Sequence, residues 1–305
     1  MKKLSVVIPC RNAANTIANQ LEALAAQTCS EPWEIVVSDN GSSDDSLSVI
    51  NGFQDRISRL RVVDSSDRIG RGHARNVGAR AAVGEALAFC DADDEVAPGW
   101  VAAMGEALSK HDFVACRWDI EKLNEPRLQK IRGGNPQRNG LQVIWYPPYL
   151  LHAGGGGMGI KRSLHAAVGG FDESLPRLQD TDYCFKVQLA GVKLHFVSDA
   201  VLHVRFRGTL GSFFNQSRHW GQYNVFLYKR YRPPNMRIPH PWRRYLSDWK
   251  RLLSVLSRLY HREGCFSFAR LFGWQIGQLY GCIRYLSSPT AYPRKVPSQY
   301  TNEVQ

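Results

Sequence analysis

The chain has 305 residues, 44% of them hydrophobic and 22% charged, which excludes wholesale disorder and leaves room for one large domain or a domain with an appendage. Its formal charge of +12 is uneven: 22 Lys and Arg against 24 Asp and Glu over residues 1–200, a balance of −2, and 17 against 3 over residues 201–305, a balance of +14. The seven cysteines are scattered with no Cys-x-x-Cys pair, which excludes a disulfide framework and a zinc ribbon and reads as reduced thiols. Two lysines precede an apolar run at 4–8 that is too short for a signal-peptide core, so the expected location is cytoplasmic.

In chain order, residues 4–8 form a short β-rich run and 16–26 a helical stretch. A second strand at 34–37 ends in the turn Asp39-Asn40-Gly41, and Ser42 with Asp45 three residues on predicts a capping box for the next helix. Strands at 61–63 and 85–90 flank a helix over 73–83, and the latter strand runs into Asp91, Asp93 and Asp94. Strands separated by helices of this length imply right-handed crossovers and a mainly parallel sheet, which binds ligands at the carboxyl ends of its strands. Residues 124–140, rich in Gly, Pro, Asn and Arg, read as a loop, and a Pro-rich cluster at 232–242 precedes a helical tail. In that tail Leu246, Trp249, Leu252, Leu253, Leu256 and Leu259 recur at helical spacing with Lys250, Arg251 and Arg258 off the stripe. A second helix over 266–286 carries Gly273, Gly277 and Gly281 every fourth residue, which lets another helix approach closely. Residues from 287 read as an irregular terminus.

The chemistry starts from Asp91 and Asp93, two carboxylates two apart just past a buried strand. One can take a hard cation and the other a ribose hydroxyl or a second cation contact; alone, such a cluster is more often a solvated turn or a helix cap. The stretch 67–80 places Gly72 before a helix whose first turn brings Arg75 and Asn76, and an arginine there can contact a base or a phosphate. His203 follows another short strand, where an unaccompanied His is an ordinary core residue or a ligand. Asp180 and Asp182 suit the N-terminus of a helix.

These stretches together, with Val7-Ile8-Pro9, Arg11-Asn12, Asp39 to Asp44, Gly72 to Gly78, Asp91-Ala92-Asp93, Gly155 to Arg162, Gly169 to Glu173 and Gln179-Asp180, resemble the ordered motifs of family-two inverting glycosyltransferases of the GT-A fold over residues 4–205. The resemblance implies an α/β, GT-A (Rossmann-like), mainly parallel sheet flanked by helices. It divides the chain into a catalytic domain over 1–205, with a nucleotide-sugar half (1–95) and an acceptor half (96–205), and a basic, mostly helical C-terminal extension over 206–305. Position by position it implies that Pro9 and Arg11 border the nucleoside, Asp39 accepts from a pyrimidine base, Arg75 lies near the base or diphosphate and Asp91 reaches the ribose. Asp93 and His203 would hold a divalent metal, Mn2+ or Mg2+. Asp180 would be the base that deprotonates a hydroxyl acceptor attacking a nucleotide-sugar donor, UDP being the expected carrier. Gln179 stands where the family more often has Glu. Processive members carry Gln-x-x-Arg-Trp and membrane spans; here Gln216, Arg218 and Trp220 have another spacing and no apolar stretch of about twenty residues occurs, so one sugar per encounter is expected.

A sugar-phosphate nucleotidyltransferase would share the sheet and metal chemistry but needs a Gly-rich, basic signature after the first strand, which residues 9–12 lack. A non-catalytic binding protein for nucleic acid or glycan would have no use for Asp93, Asp180 and His203 together. The basic tail leaves two readings open: adsorption to an anionic membrane surface, at the inner face of the cell membrane, or packing of its helices on the catalytic domain or on a second copy of the chain.

Overall fold

The structure, a computed structural model, describes residues 3–233 and 241–286; the terminus expected from 287 onward lies outside the described residues. The first half builds β1 (Leu4–Cys10), α1 (Ile17–Ala25), β2 (Trp33–Asp39), α2 (Ser46–Gln54), β3 (Leu60–Asp64), α3 (Arg71–Ala81) and β4 (Ala86–Phe89). β1 lies between β2 and β4, parallel to both, and β3 runs parallel outside β2. Both faces of β1 are covered, which explains its unbroken burial. Side chains alternate, so Val6 and Ile8 join Leu21 of α1 in one core while Val7 joins Ala79 of α3 in the other.

The chain continues through β5 (Glu95–Val96), α4 (Trp100–Lys110), β6 (Phe113–Asp119), α5 (Pro126–Arg132), β7 (Met158–Lys161), α6 (Arg162–Ala167), α7 (Gln179–Leu189) and β8 (His195–His203). The eight strands make one sheet in the order β3-β2-β1-β4-β7-β6-β8-β5. β6 and β8 are parallel, whereas β7 runs antiparallel to β4 and β6, and β5 antiparallel to β8. The expected mainly parallel sheet flanked by helices is present, with β7 and β5 as its antiparallel members.

Two local expectations fail for identifiable reasons. The capping box of α2 does not form, because Ser42 Oγ donates to Asp39 instead, at 2.5 Å, and the helix begins at Ser46, whose N–H is accepted by Asp44 Oδ1 at 3.1 Å. The stretch 124–140 is not all loop: it holds α5, with Pro126 in its first turn and Gly133 left-handed (φ 84°) just past its end. The Pro and Gly that suggested a loop are its start and stop signals.

The extension folds as α8 (Leu210–Tyr231), α9 (Pro241–Leu256), α10 (Arg262–Gly281) and a π-helical segment over Cys282–Leu286. The glycine stripe of α10 lies against α8: a Cβ at Gly277 would meet the Arg218 carbonyl oxygen at 1.9 Å, and one at Gly273 the Phe214 carbonyl oxygen at 2.5 Å. α8 in turn shares a core with the acceptor half, where Phe226, Leu227 and Tyr231 pack with Tyr146, Leu175 and Phe185. Arg230 on α8 donates to Asp172 at 2.9 Å and to Asp182 at 2.8 Å, both carboxylates being buried. All seven cysteines are free, and among the described residues no helix is long and apolar enough to cross a membrane.

Candidate active site

A cleft of about 760 Å³ opens at the carboxyl ends of β1 and β4. Pro9 and Arg11 come to it from the end of β1, Asp91 and Asp93 from the end of β4, Arg71 from the first turn of α3, and Arg205 from just past β8. Asn40 fixes the loop before α3: its amide donates to the carbonyls of Ser65 and Arg68 and accepts from the Gly70 N–H at 2.7 Å. The cleft thereby holds Arg71 at a set position, although Arg71 makes no hydrogen bond of its own in the described contacts.

Asp91, Asp93 and Asp94 point carboxylate oxygens to within 4.8 Å of one another. Their environments differ. Burial alone would raise Asp91, but Arg75 and Arg71 outweigh it and hold the carboxyl below its ordinary value; Arg75 donates to Asp91 Oδ1 at 2.6 Å. Burial and the neighbouring Asp91 raise Asp93, and burial with Asp93 and Asp91 raises Asp94 well above the ordinary range. Negative charge is thus concentrated beyond what the nearby arginines neutralise, and hard oxygen ligands at this spacing fit Mg2+ or Mn2+. Asp93 and Asp91 would hold such an ion from the cleft side; Asp94 is buried and accepts from the Arg205 N–H at 2.9 Å. Arg71 answers the same charge: burial opposes its protonation, yet Asp91, Asp93, Asp180 and Asp94 raise its pKa.

Asp180, in the first turn of α7, accepts from the Gly155 N–H at 3.0 Å. That loop passes directly over the acid cluster: a Cβ at Gly155 would meet the Arg75 guanidinium at 2.6 Å, and one at Gly156 would meet Asp94 Oδ2 at 3.1 Å. Asp182, two residues on, is buried and already accepts from Arg230 and from the Tyr231 hydroxyl at 2.8 Å. Asp182 is therefore a structural anion, and Asp180 is the carboxylate that shares space with Arg71.

Of the residues singled out in the sequence, Pro9, Arg11, Asp91 and Asp93 line the cleft, Asp180 stands beside it under the Gly155 loop, and three lie elsewhere. Arg75 is buried with its guanidinium over the Phe171 ring at 5.4 Å, so it serves Asp91 from behind the cleft wall. Asp39 is buried next to the lining Asn40, and Ser42 donates to its carboxylate through Oγ and N–H. His203 lies apart from the acid cluster of Asp91, Asp93 and Asp94 among the described residues. Leu202 points at the Gly156–Gly157 loop, so by strand alternation His203 faces away, and its Nδ1 lies 2.6 Å from Asp119 Oδ2 on the adjoining strand. The residues that sequence reasoning overlooked are Arg71 and Arg205, and only Arg71 left a local signal. Arg71 stands one helical turn before Arg75, and that i, i+4 spacing was the signal.

Residues 5–169 match the profile of glycosyl transferase family 2, more than half of the chain. The chain belongs to that family. Among curated members, the validoxylamine A glucosyltransferase of Streptomyces hygroscopicus subsp. jinggangensis is 41% identical over 154 residues, covering 48% of this chain and 36% of that protein. A succinoglycan biosynthesis protein of Rhizobium meliloti is 37% identical over 112 residues, covering 36% and 31%. The chain thus spans well under half the length of these relatives. Solved structures agree in fold: a mannosyltransferase from Pyrobaculum calidifontis in complex with GDP-Man and Mn2+ gives a TM-score of 0.62 at 21% identity, covering 91% of this chain and 87% of that one. S. aureus TarS in complex with UDP-GlcNAc gives 0.54 at 16% identity, covering 91% and 90%. Within the family-2 domain the matched segment includes the acid cluster and Arg71, whereas Asp180 and His203 lie beyond it. Family membership leaves the nucleotidyltransferase reading without support.

Proposed function

We propose that the chain is an inverting, non-processive, metal-dependent glycosyltransferase that moves a sugar from a nucleotide-diphosphate donor, UDP being the expected carrier, to a hydroxyl acceptor in glycan or glycolipid synthesis. The observation that carries it is a cleft lined by Arg71, Asp91 and Asp93, with Asp94 completing the acid cluster behind them and Asp180 near enough for its charge to act on Arg71. Neighbours of the same fold hold UDP-GlcNAc, or GDP-Man with Mn2+, which supports a nucleotide-sugar and a divalent cation here.

In this reading Pro9 and Arg11 border the nucleoside, Asp39 accepts from the base, and Asp91, held ionised by Arg75, reaches the ribose. A divalent cation, Mn2+ or Mg2+, would supply neutralisation of the diphosphate, with Asp93 as its principal ligand. Arg71 and Arg205 add fixed positive charge where negative charge grows on the leaving group. Asp180 takes the proton of the acceptor hydroxyl as its oxygen forms the new bond to the anomeric carbon; the bond from that carbon to the phosphate oxygen breaks, and its electron pair leaves with the nucleoside diphosphate. One carboxylate suffices, because the diphosphate departs without protonation. The exposed apolar residues of α9, Leu253 and Leu256, beside exposed Lys250 and Arg251, favour adsorption of the enzyme to an anionic membrane surface as its working location.

A melting screen of nucleotide-sugars with Mn2+ and with Mg2+ tests the assignment, since a specific donor raises the melting point by mass action. The metal-dependent part of that shift should vanish in Asp93→Ala. A chain that responds to no nucleotide-sugar, or equally with chelator present, is not this enzyme.

A further inference from the structure

Several arginines that hold the domain together are matched to carboxylates: Arg61 to Glu34, Arg75 to Asp91, Arg230 to Asp172 and Asp182. One group is gathered without any. Arg177 and Arg207 line the cleft together with Phe206. Behind Phe206 lies Arg132, its guanidinium 4.7 Å from that ring, 5.0 Å from Trp220 and 5.6 Å from Phe213, and donating only to Gln216 at 2.8 Å. Arg270 of α10 follows, with a buried Nε that has no hydrogen-bond partner. Arg177 donates only to the carbonyl of its neighbour Pro176. None of Arg132, Arg177, Arg207 and Arg270 makes an ion pair among the described residues.

These side chains act on one another. Burial, then Arg270 and Arg207, pushes Arg132 down to about 10; burial, then Arg71 and Arg207, lowers Arg177; burial, then Arg251, lowers Arg270. Like charges crowded into a half-buried band repel, and the described part of the extension has only Asp248 and Glu263 to offset them. Such a band is complementary to an anion that the chain does not itself supply. It begins at Arg207, within electrostatic reach of Asp93, and leads out of the cleft to Arg132 on α5 and Arg270 on α10. The donor diphosphate is already met at the other end by Arg71, Arg205 and the acid cluster.

We propose that this band holds the acceptor, and that the acceptor carries phosphate close to the hydroxyl that receives the sugar. The proposal rests on the glycosyltransferase reading and names its acceptor class. Several planar guanidinium groups exceed what a single carboxylate needs and suit the multiple oxygens of a phosphate or diphosphate. The phosphate belongs either to a lipid headgroup or to a soluble phosphate-bearing glycan.

Calorimetric titration of glycerol phosphate onto the full chain, saturated with UDP and Mg2+, tests this. The saturated chain should bind it, and Arg177→Gln and Arg270→Gln should each weaken that binding roughly tenfold while leaving UDP affinity unchanged. The two variants guard each other against misfolding, which melting curves report. No binding to the saturated chain, or binding that neither variant weakens, overturns the proposal. A wild-type chain that fails to bind UDP sinks the function reading instead. Titration of a short-chain, water-soluble phosphatidic acid, which needs no vesicle surface, then separates the sources: binding roughly tenfold tighter than glycerol phosphate and weakened in Arg177→Gln assigns a lipid headgroup, and binding no tighter than glycerol phosphate assigns a soluble one.

Discussion

Asp180 and Asp182 share the first turn of α7 and meet opposite surroundings. Asp182 is enclosed and occupied by Arg230 and Tyr231, while Asp180 is half-exposed and held by the Gly155 N–H beside the cleft. Asp180→Asn should keep donor affinity and melting temperature yet lower turnover by about a hundredfold or more. Asp182→Asn should instead lose about 2 kcal/mol of stability, by leaving Arg230 and Tyr231 with a weaker acceptor. An Asp180→Asn enzyme at near-normal turnover would remove the assigned base. His165 makes a separate prediction about pH. Burial, then Lys186 and Arg80, lowers it to about 3, and its Nδ1 lies 2.7 Å from the Tyr183 hydroxyl. Because the native state holds it neutral while the unfolded chain protonates near 6.5, its contribution is complete above that pH. It is lost progressively toward pH 3, with a slope approaching 1.4 kcal/mol per pH unit. Denaturant melts from pH 7 to 4 should show the slope, and His165→Gln should flatten it.

At the scale of elements, the contact of α8 with α10 is set by backbone approach. A methyl at Gly277 would overlap the Arg218 carbonyl oxygen, and a main chain cannot swing aside as a side-chain tip can. Gly105, in α4, has nothing within 4 Å of the same added atom. Gly277→Ala should therefore destabilise by about 1–3 kcal/mol, whereas Gly105→Ala should be neutral or gain up to about 1 kcal/mol from helix propensity. Chemical denaturation of the pair checks it; equal effects would mean that the two helices separate easily. The glycine spacing was legible in the sequence because a period of four is local information. The partner was not, since α8 is known only once both helices are placed.

For the whole molecule, the question left by the basic tail divides between its helices. α10 packs on α8, and α8 on the acceptor half, so packing on the domain accounts for those two. α9 differs: of its stripe, Leu252 is buried, whereas Leu253 and Leu256 are 60% and 45% exposed, and the side chain of Leu246 lies outside the described residues. Lys250, Arg251 and Arg258 are exposed near that face. Full-length protein should float with anionic vesicles and release as salt rises, and replacement of Leu253 and Leu256 together by Glu should abolish flotation while leaving the melting temperature within a few degrees. Persistent flotation of the double variant would move the membrane contact elsewhere.

The sequence by itself determined the first four strands and the one before His203, because their runs of apolar residues are local, and it determined the acid cluster, because a loop at the end of a buried strand needs no partner to be recognised; β5, β6 and β7 emerged only with the sheet. It also determined Asp180 as a residue to watch. The tertiary structure alone decided which way each side chain faces. His203 turned to Asp119 by strand alternation, Arg75 became the buried partner of Asp91, and Arg71 took the open cleft. It also assembled an arginine band from α5, α10 and two loops, residues 132, 177, 207 and 270. Charges so far apart in the chain interact only when folding sets them within a few ångströms, and no local pattern records that distance.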